Sequence, residues 1–223
     1  MLLFANSKEG VATRFLERQL GIGYFAAFTM AARIRMHMAA LENDRVVGRK
    51  GERLFVKLVE FPTKPCASQR QVKSCWAVLL SDVSQIVSVV VENLDQHSIL
   101  KAINQRGHAG AMQVTTCRRT LDVLCDIGAR SALAWFEHDN SARHPSIPDR
   151  APGFVAHVKL HLKGQFGRVT TGRLWTYLKE FEFRHNRIGN PSSVYWDLIG
   201  RFPDLGKADV DRIEAKSFIQ SAK

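Results

Sequence analysis

Three short runs rich in β-branched and other apolar residues, Leu54 to Glu60, Cys75 to Leu80 and Gln85 to Val91, lie between two stretches whose apolar residues recur at helical spacing. Runs of this length and composition favour extended backbone over helix. A chain with such a middle must build a sheet and then cover it with helices. Asp82, between the second and third runs, marks a hairpin or meander. A helix is expected next from about Gln96 to Gln105, then a short fourth strand over Met112 to Thr116. Another helix is expected over Arg118 to Ile127, stopped by Gly128, and a fifth strand over Ser131 to Phe136.

The flanks read as helices. Val11, Phe15, Leu16 and Leu20 recur near helical spacing, Gly21 and Gly23 break the run, and a second helix extends from Tyr24 to about Leu41. Helix, short glycine-bearing turn, helix is the helix-turn-helix pattern. After a loop holding Asn140, Pro145 and Pro148, Pro152 suits the first turn of a helix that ends at Gly164. A longer helix spans Thr171 to Arg187, ended by Gly189, Asn190 and Pro191, with further helix to the C-terminus interrupted near Pro203. The expected architecture is α/β. It is an RNase H-like mixed sheet, three antiparallel strands then βαβα, with an N-terminal helix-turn-helix and C-terminal helices. The corresponding regions are residues 1–45, 50–187 and 188–223.

Charge narrows the partner. The net charge of +11 is divided as +4 over residues 1–50, +1 over 51–139 and +6 over 140–223. Two basic ends around a near-neutral middle favour a polyanion, because each phosphate contact releases condensed counterions. A basic surface kept for solubility is the alternative. Cys66, Cys75, Cys117 and Cys125 form no C-x-x-C pair, so a zinc ribbon or finger is not expected. With no secretory signal before them, reduced thiols in a cytoplasm are expected. The longest apolar stretch, Gly21 to Ala32, is too short for a membrane span and is stopped by Arg33 and Arg35, so no membrane partner is expected.

Two segments resemble a known family. The stretch from Leu174 to Arg187, LWTYLKEFEFRHNR, is similar to the YLDEFEFRYNRR segment of bacterial insertion-sequence transposases of the ISXO-two-like group. Gly153, Phe154, Lys163, Gly164 and Gly167 fall where that family writes EGFWSLLKRGIYGTYH. Leu3 to Gly10, Leu16 to Gly21 and Ala32 to Arg35 resemble its helix-turn-helix. Members usually begin with a zinc-binding ribbon, and residue 1 here corresponds to the point just after it, so the resemblance implies a chain truncated at the N-terminus. It also implies DNA as partner, a homo-oligomer or transposase subunits as further partners, and a bacterial cytoplasmic location, nucleoid-associated when DNA is bound.

The resemblance further implies a DDE-type metal centre, in which acidic side chains hold two divalent cations that activate the attacking oxygen and stabilise the leaving one. Tested position by position, the acids are missing. The first strand, written VDETYIGG in the family, has no aspartate here and has Lys57 at its centre. Thr116 stands where the family has the aspartate of TDGWRAY, and Pro152 where it has the glutamate of IEGFW. Glu60, Glu137 and Asp139 are the substitutes at hand. His157 and His161 have i, i+4 spacing, but Val158 takes the place of the glutamate a zincin motif requires.

The expectation is therefore no catalytic residue, no metal and no cofactor, with Mg²⁺ required if activity remains. The residues expected to hold nucleic acid are Arg14, Arg18, Arg33, Arg35, Lys159, Lys163, Arg173, Arg184 and Arg187. Arg184 and Arg187 are expected to lie off the apolar stripe of Leu174, Leu178 and Phe181, free for phosphate. The start of the second N-terminal helix, Tyr24 to Phe28, offers almost nothing that can hydrogen-bond a base edge, and at least one of Phe25 and Phe28 is expected in the core. Three functions remain open: an inactive transposase remnant that binds DNA, an active transposase with relocated carboxylates, and a host-adopted DNA-binding regulator.

Overall fold

The computed structural model describes residues 2–7, 10–63, 74–115, 117–126, 150–164, 169–188, 191–200 and 205–219. The protein is α/β. Its sheet begins with β1 (Arg53–Pro62), β2 (Ser74–Ser81) and β3 (Ile86–Val91), each antiparallel to the next. The side chain of Asp82 accepts from the backbone N–H groups of Ser84 and Gln85, closing the β2–β3 turn. Strand β4 (Met112–Val114) adds parallel to β1, and the short β5 (Phe218–Ile219) adds parallel to β3. The order across the sheet is β4-β1-β2-β3-β5.

The first four strands lie where sequence places them. The expected strand at Ser131 to Phe136 is outside the described residues. The C-terminus departs from the expectation of helix throughout. After α9 (Lys207–Ser217), Phe218 and Ile219 become strand, because the open edge of β3 supplies backbone partners and both side chains are buried there. The N–H of Glu92 donates to the carbonyl of Ile219 at 3.1 Å.

Both sheet faces are buried, so every residue of β3 is buried and all but Ser88 are apolar. On one face Leu54, Val56 and Leu58 of β1, with Val78, Leu80, Val87 and Val89, pack against α4 (Gln96–Arg106) and α5 (Arg118–Asp126). On the other, Val59, Phe61, Leu79, Ile86 and Val90 pack against α6 (Ala151–Gly164), α7 (Thr171–His185) and α9. Helix α4 is started by Asp95, whose carboxylate accepts from the Ser98 N–H at 2.9 Å and from the Ser98 hydroxyl at 2.7 Å. Asp95→Ala is expected to cost about 1 kcal/mol, read as a lower urea midpoint with unchanged slope; an unchanged midpoint would contradict the capping role. The same helix ends at Gly107 against β1, where a Cβ would stand 2.7 Å from Leu54 Cδ2 and 2.8 Å from the Ile103 carbonyl oxygen.

A third core lies beside the sheet. The chain opens with α1 (Leu2–Asn6), α2 (Thr13–Leu20) and α3 (Tyr24–Leu41). Helices α2 and α3 are joined through Gly21, whose φ of 62° is the left-handed conformation that glycine adopts without strain. Phe4, Val11, Leu16, Ala27, Ala31, Ile34 and Met38 pack there with Phe183 of α7 and with Val194 and Leu198 of α8 (Pro191–Gly200). The expected apolar stripe of α2 is only half used: Val11 and Leu16 are buried, while Phe15 and Leu20 are exposed. Helix α7 thus belongs to two cores at once. Leu174, Trp175, Leu178 and Phe181 face the sheet side, and Phe183 faces α3. Among the described residues no helix is long and apolar enough to cross a membrane.

Candidate nucleic-acid interface

The positions where the resemblance calls for metal-binding acids are partly brought together. Lys57 is half-buried at the centre of β1. The Leu58 N–H donates to Thr120 Oγ1 at 3.1 Å, which pins the first turn of α5 to the middle of that strand. Thr116 lies outside the described residues, but its neighbours Thr115 and Cys117 occupy the step from β4 into α5. Burial pushes the Cys117 thiol up in pKa. Hydrogen bonds from the Thr120 amide and side chain, the Lys57 charge and the Arg119 amide outweigh it, and the net shift is downward. Pro152 is exposed in the first turn of α6 and contributes no ligand atom.

Of the substitutes, Glu60 alternates with Lys57, so it points to the opposite face of β1, where Arg119 donates to its carboxylate at 2.9 Å. Glu137 and Asp139 lie outside the described residues. What the described residues place at this point is an ammonium, a thiol and hydroxyls. Paired Mg²⁺ ions need hard anionic oxygens, so this donor set does not fit them. Among the described residues no three His, Cys, Asp or Glu side chains are grouped to hold a metal ion. His157 and His161 pack against each other and against Phe181, with the His161 side chain buried in the α6–α7 contact.

The nine basic residues expected to hold nucleic acid divide into two sets. Six are at the surface. Arg14, Arg18 and Arg33 are exposed on α2 and α3, and Arg173 is exposed in the first turn of α7. Lys159 and Lys163 are exposed on α6, with Lys159 Nζ 5.8 Å from the centre of the Phe61 ring. The other three are internal, against expectation. Arg35 is buried, and its Nε donates to Glu180 Oε2 at 2.6 Å. Arg184, on the same turn as Glu180, pairs with the other carboxylate oxygen at 2.7 Å. Arg187 is mostly buried, held between Glu42 and Asp197 and stacked over the Phe183 ring. None of the three is free for phosphate.

The physical reason lies in the second half of α7, where residues 178–184 are all buried. Lys179, Glu180, Glu182 and Arg184 are buried together with the apolar stripe. Buried charges must be paired, and each finds its counterpart within reach. Glu182 accepts from Lys179 Nζ at 2.8 Å and from the amide and hydroxyl of Ser88 on β3, both at 2.8 Å. Burial pushes the Glu182 carboxyl up in pKa, against the pull of the Lys179 ammonium beside it.

The surface of α2 and α3 holds what sequence spacing missed. Phe25 is 81% exposed and Tyr24 50% exposed, while Phe28 is half-buried. The rings of Tyr24 and Phe28 stack with centroids 6.4 Å apart and planes 26° apart. Arginines flank them: Arg14 lies 5.8 Å from the Tyr24 ring centre and Arg173 4.7 Å from that of Phe28. The three-residue gap between Tyr24 and Phe28 was the available signal, since i, i+4 residues share one helix face. No protein-family model matches this chain, and no curated protein is significantly similar to it.

Proposed function

We propose that the protein binds DNA through phosphate contacts on a transposase-type scaffold and does not itself cut the strand. The observation that carries this reading is the set Arg14, Arg18, Arg33 and Arg173. All four reach solvent around one helical pair, and none has a carboxylate partner among the described residues. Exposed guanidinium groups without an ion-pair partner suit phosphate, whose anionic oxygens accept from the guanidinium fork. The helix–turn–helix arrangement of α2 and α3 supports DNA as the polyanion. The strand order β4-β1-β2-β3, with β4 parallel to β1 after an antiparallel meander, supports the RNase H-like reading of the sheet. Lys57 in the middle of β1 supports a non-catalytic role, because a cation there opposes divalent-metal binding. Such a protein would work in a bacterial cytoplasm, at the nucleoid when bound, alone or beside active transposase subunits.

A salt titration tests the reading. Affinity for duplex DNA should be on the order of micromolar or weaker at physiological salt. It should fall with salt at a slope of roughly −3 to −4 on logarithmic axes for four phosphate contacts. Replacing Arg18 by alanine should lower that slope by about 1. A flat salt dependence would remove the proposal. In a nicking assay with Mg²⁺ or Mn²⁺ the DNA should stay intact; metal-dependent cleavage abolished by Glu137→Ala would instead assign activity to relocated carboxylates.

A further inference from the structure

We infer that the surface shared by α2, α3 and the start of α7 takes unpaired nucleotides, stacking bases on Tyr24, Phe25 and Phe28 while the surrounding arginines hold phosphates. The inference rests on the nucleic-acid reading above and names the form of nucleic acid that fits it.

Three observations lead there. The first is exposure. Phe25 presents 81% of its surface to solvent, next along α3 to Tyr24, which is 50% exposed. Apolar side chains gathered in this way, with a polar rim, mark an interaction site. The second is the sign of the rim. Arg14 and Arg173, both exposed, lie over the Tyr24 and Phe28 rings, and Arg18 is exposed one turn after Arg14 on α2. Guanidinium groups set against aromatic rings complement a polyanion that also offers flat apolar faces. Single-stranded nucleic acid is such a ligand, since every unpaired base has a free π-face. An apolar protein surface supplies the faces without the negative charge.

The third observation separates single strand from duplex. In duplex DNA the base faces are hidden, and only edges are open in the major groove. Reading an edge needs hydrogen-bond donors and acceptors. Residues 24 to 28, at the start of α3, are Tyr-Phe-Ala-Ala-Phe, and only the Tyr24 hydroxyl has either. The same residues provide rings at one-turn spacing, with Tyr24 and Phe28 aligned to 26°. The side chains are therefore poor for a groove and well suited to bases that have left the helix, as at a melted end or a frayed junction.

The test uses the full chain and a fluorescently labelled mixed-sequence 12-nucleotide strand, free and annealed to its complement. The single strand should bind about tenfold more tightly than the duplex. Phe25→Ala and Tyr24→Ala should each weaken single-strand binding by about tenfold, the usual effect of deleting one stacking ring, and leave duplex binding unchanged. Phe25→Tyr should keep wild-type affinity, whereas Phe25→Leu should lose it, because stacking needs a ring and not merely an apolar side chain. Since Phe25 is outside every core cluster, these variants should keep the wild-type circular dichroism. Equal affinity for both DNA forms, unchanged in the aromatic variants, would overturn this inference and leave phosphate-mediated DNA binding standing. Salt-independent or absent binding to both forms would remove both readings. If Phe25→Ala alters the sedimentation coefficient without changing strand affinity, a second copy of the chain occupies this surface and the inference falls.

Discussion

Glu180→Ala should destabilise the protein by about 3–5 kcal/mol, because it leaves two buried guanidinium groups without their anion. Glu180 is fully buried and accepts from Arg35 at 2.6 Å, from Arg184 at 2.7 Å and from the Val11 amide at 3.3 Å. The two arginines extend the cluster. Arg35 donates to the Val11 carbonyl at 2.7 Å, and Arg184 Nη2 donates to the Phe4 carbonyl at 3.1 Å. One carboxylate thus ties together the chain start, the entry to α2, α3 and α7. A loss of this size is a large share of the roughly 5–15 kcal/mol that holds a typical protein folded. Urea unfolding at neutral pH is the measurement. A variant within about 1 kcal/mol of wild type, well below the cost of breaking a buried pair, would mean that the two guanidiniums find other partners.

The same group sets an acid sensitivity. Burial pushes the Glu180 carboxyl up, but the Arg35 and Arg184 charges and their hydrogen bonds pull it down further, so it lies below its ordinary value of 4.5. A carboxyl depressed in the folded state binds its proton more weakly there than in the unfolded chain. Its stabilisation is complete above the ordinary value and is lost as pH falls through that value towards the folded one. Glu180→Gln should therefore flatten the fall in stability below about pH 5, besides lowering stability at neutral pH.

The second large effect is expected at Arg106, at the end of α4. Its side chain is buried, and its guanidinium donates to the carbonyls of Glu42 and Asn43 after α3 and to the Lys216 carbonyl in α9 at 3.2 and 3.3 Å. Burial lowers its pKa, opposed by the charges of Glu182, Asp44 and Glu42. Arg106→Met keeps much of the volume but strands the buried carbonyls of Glu42 and Asn43. At about 1–3 kcal/mol for each unsatisfied buried group, a total loss of about 3 kcal/mol or more is expected. Hydrogen exchange localises the damage: the Glu92 amide, bonded to Ile219, should exchange faster than the amides at the β1–β2 centre. Uniform acceleration across the sheet would argue against a specific anchor for α9.

Regular elements were legible because their signals are local. The apolar runs of β1 to β3 and the glycine punctuation around α2 and α3 need no knowledge of distant partners. The destination of charges was not legible, because it is decided by tertiary contact. Arg33 and Arg35 lie two residues apart on one helix, yet one meets solvent and the other meets Glu180, 145 residues away. A helix reading Lys179-Glu180-Phe181-Glu182-Phe183-Arg184 has charge on every side and reads as partly solvated. It is enclosed only because α3, β3 and the start of the chain each bring a counter-charge or a hydrogen bond. The expectation that at least one of Phe25 and Phe28 lies in the core failed in the opposite direction: aromatic residues in an apolar run suggest a core, yet neither belongs to a core cluster among the described residues, Phe28 being half-buried and Phe25 81% exposed.

The pairing of β5 with β3 has a consequence for birth on the ribosome. Val91 is made long before Ile219, its partner across the sheet. At the usual pace of translation, roughly 5–20 residues per second, that edge waits on the order of ten seconds for its partner. Throughout that interval a nascent chain offers an open row of amides and carbonyls, the arrangement most prone to pair with another molecule. Newly made copies would therefore be safest while shielded by a chaperone, and crowding of polysomes would be the condition under which this sequence aggregates first.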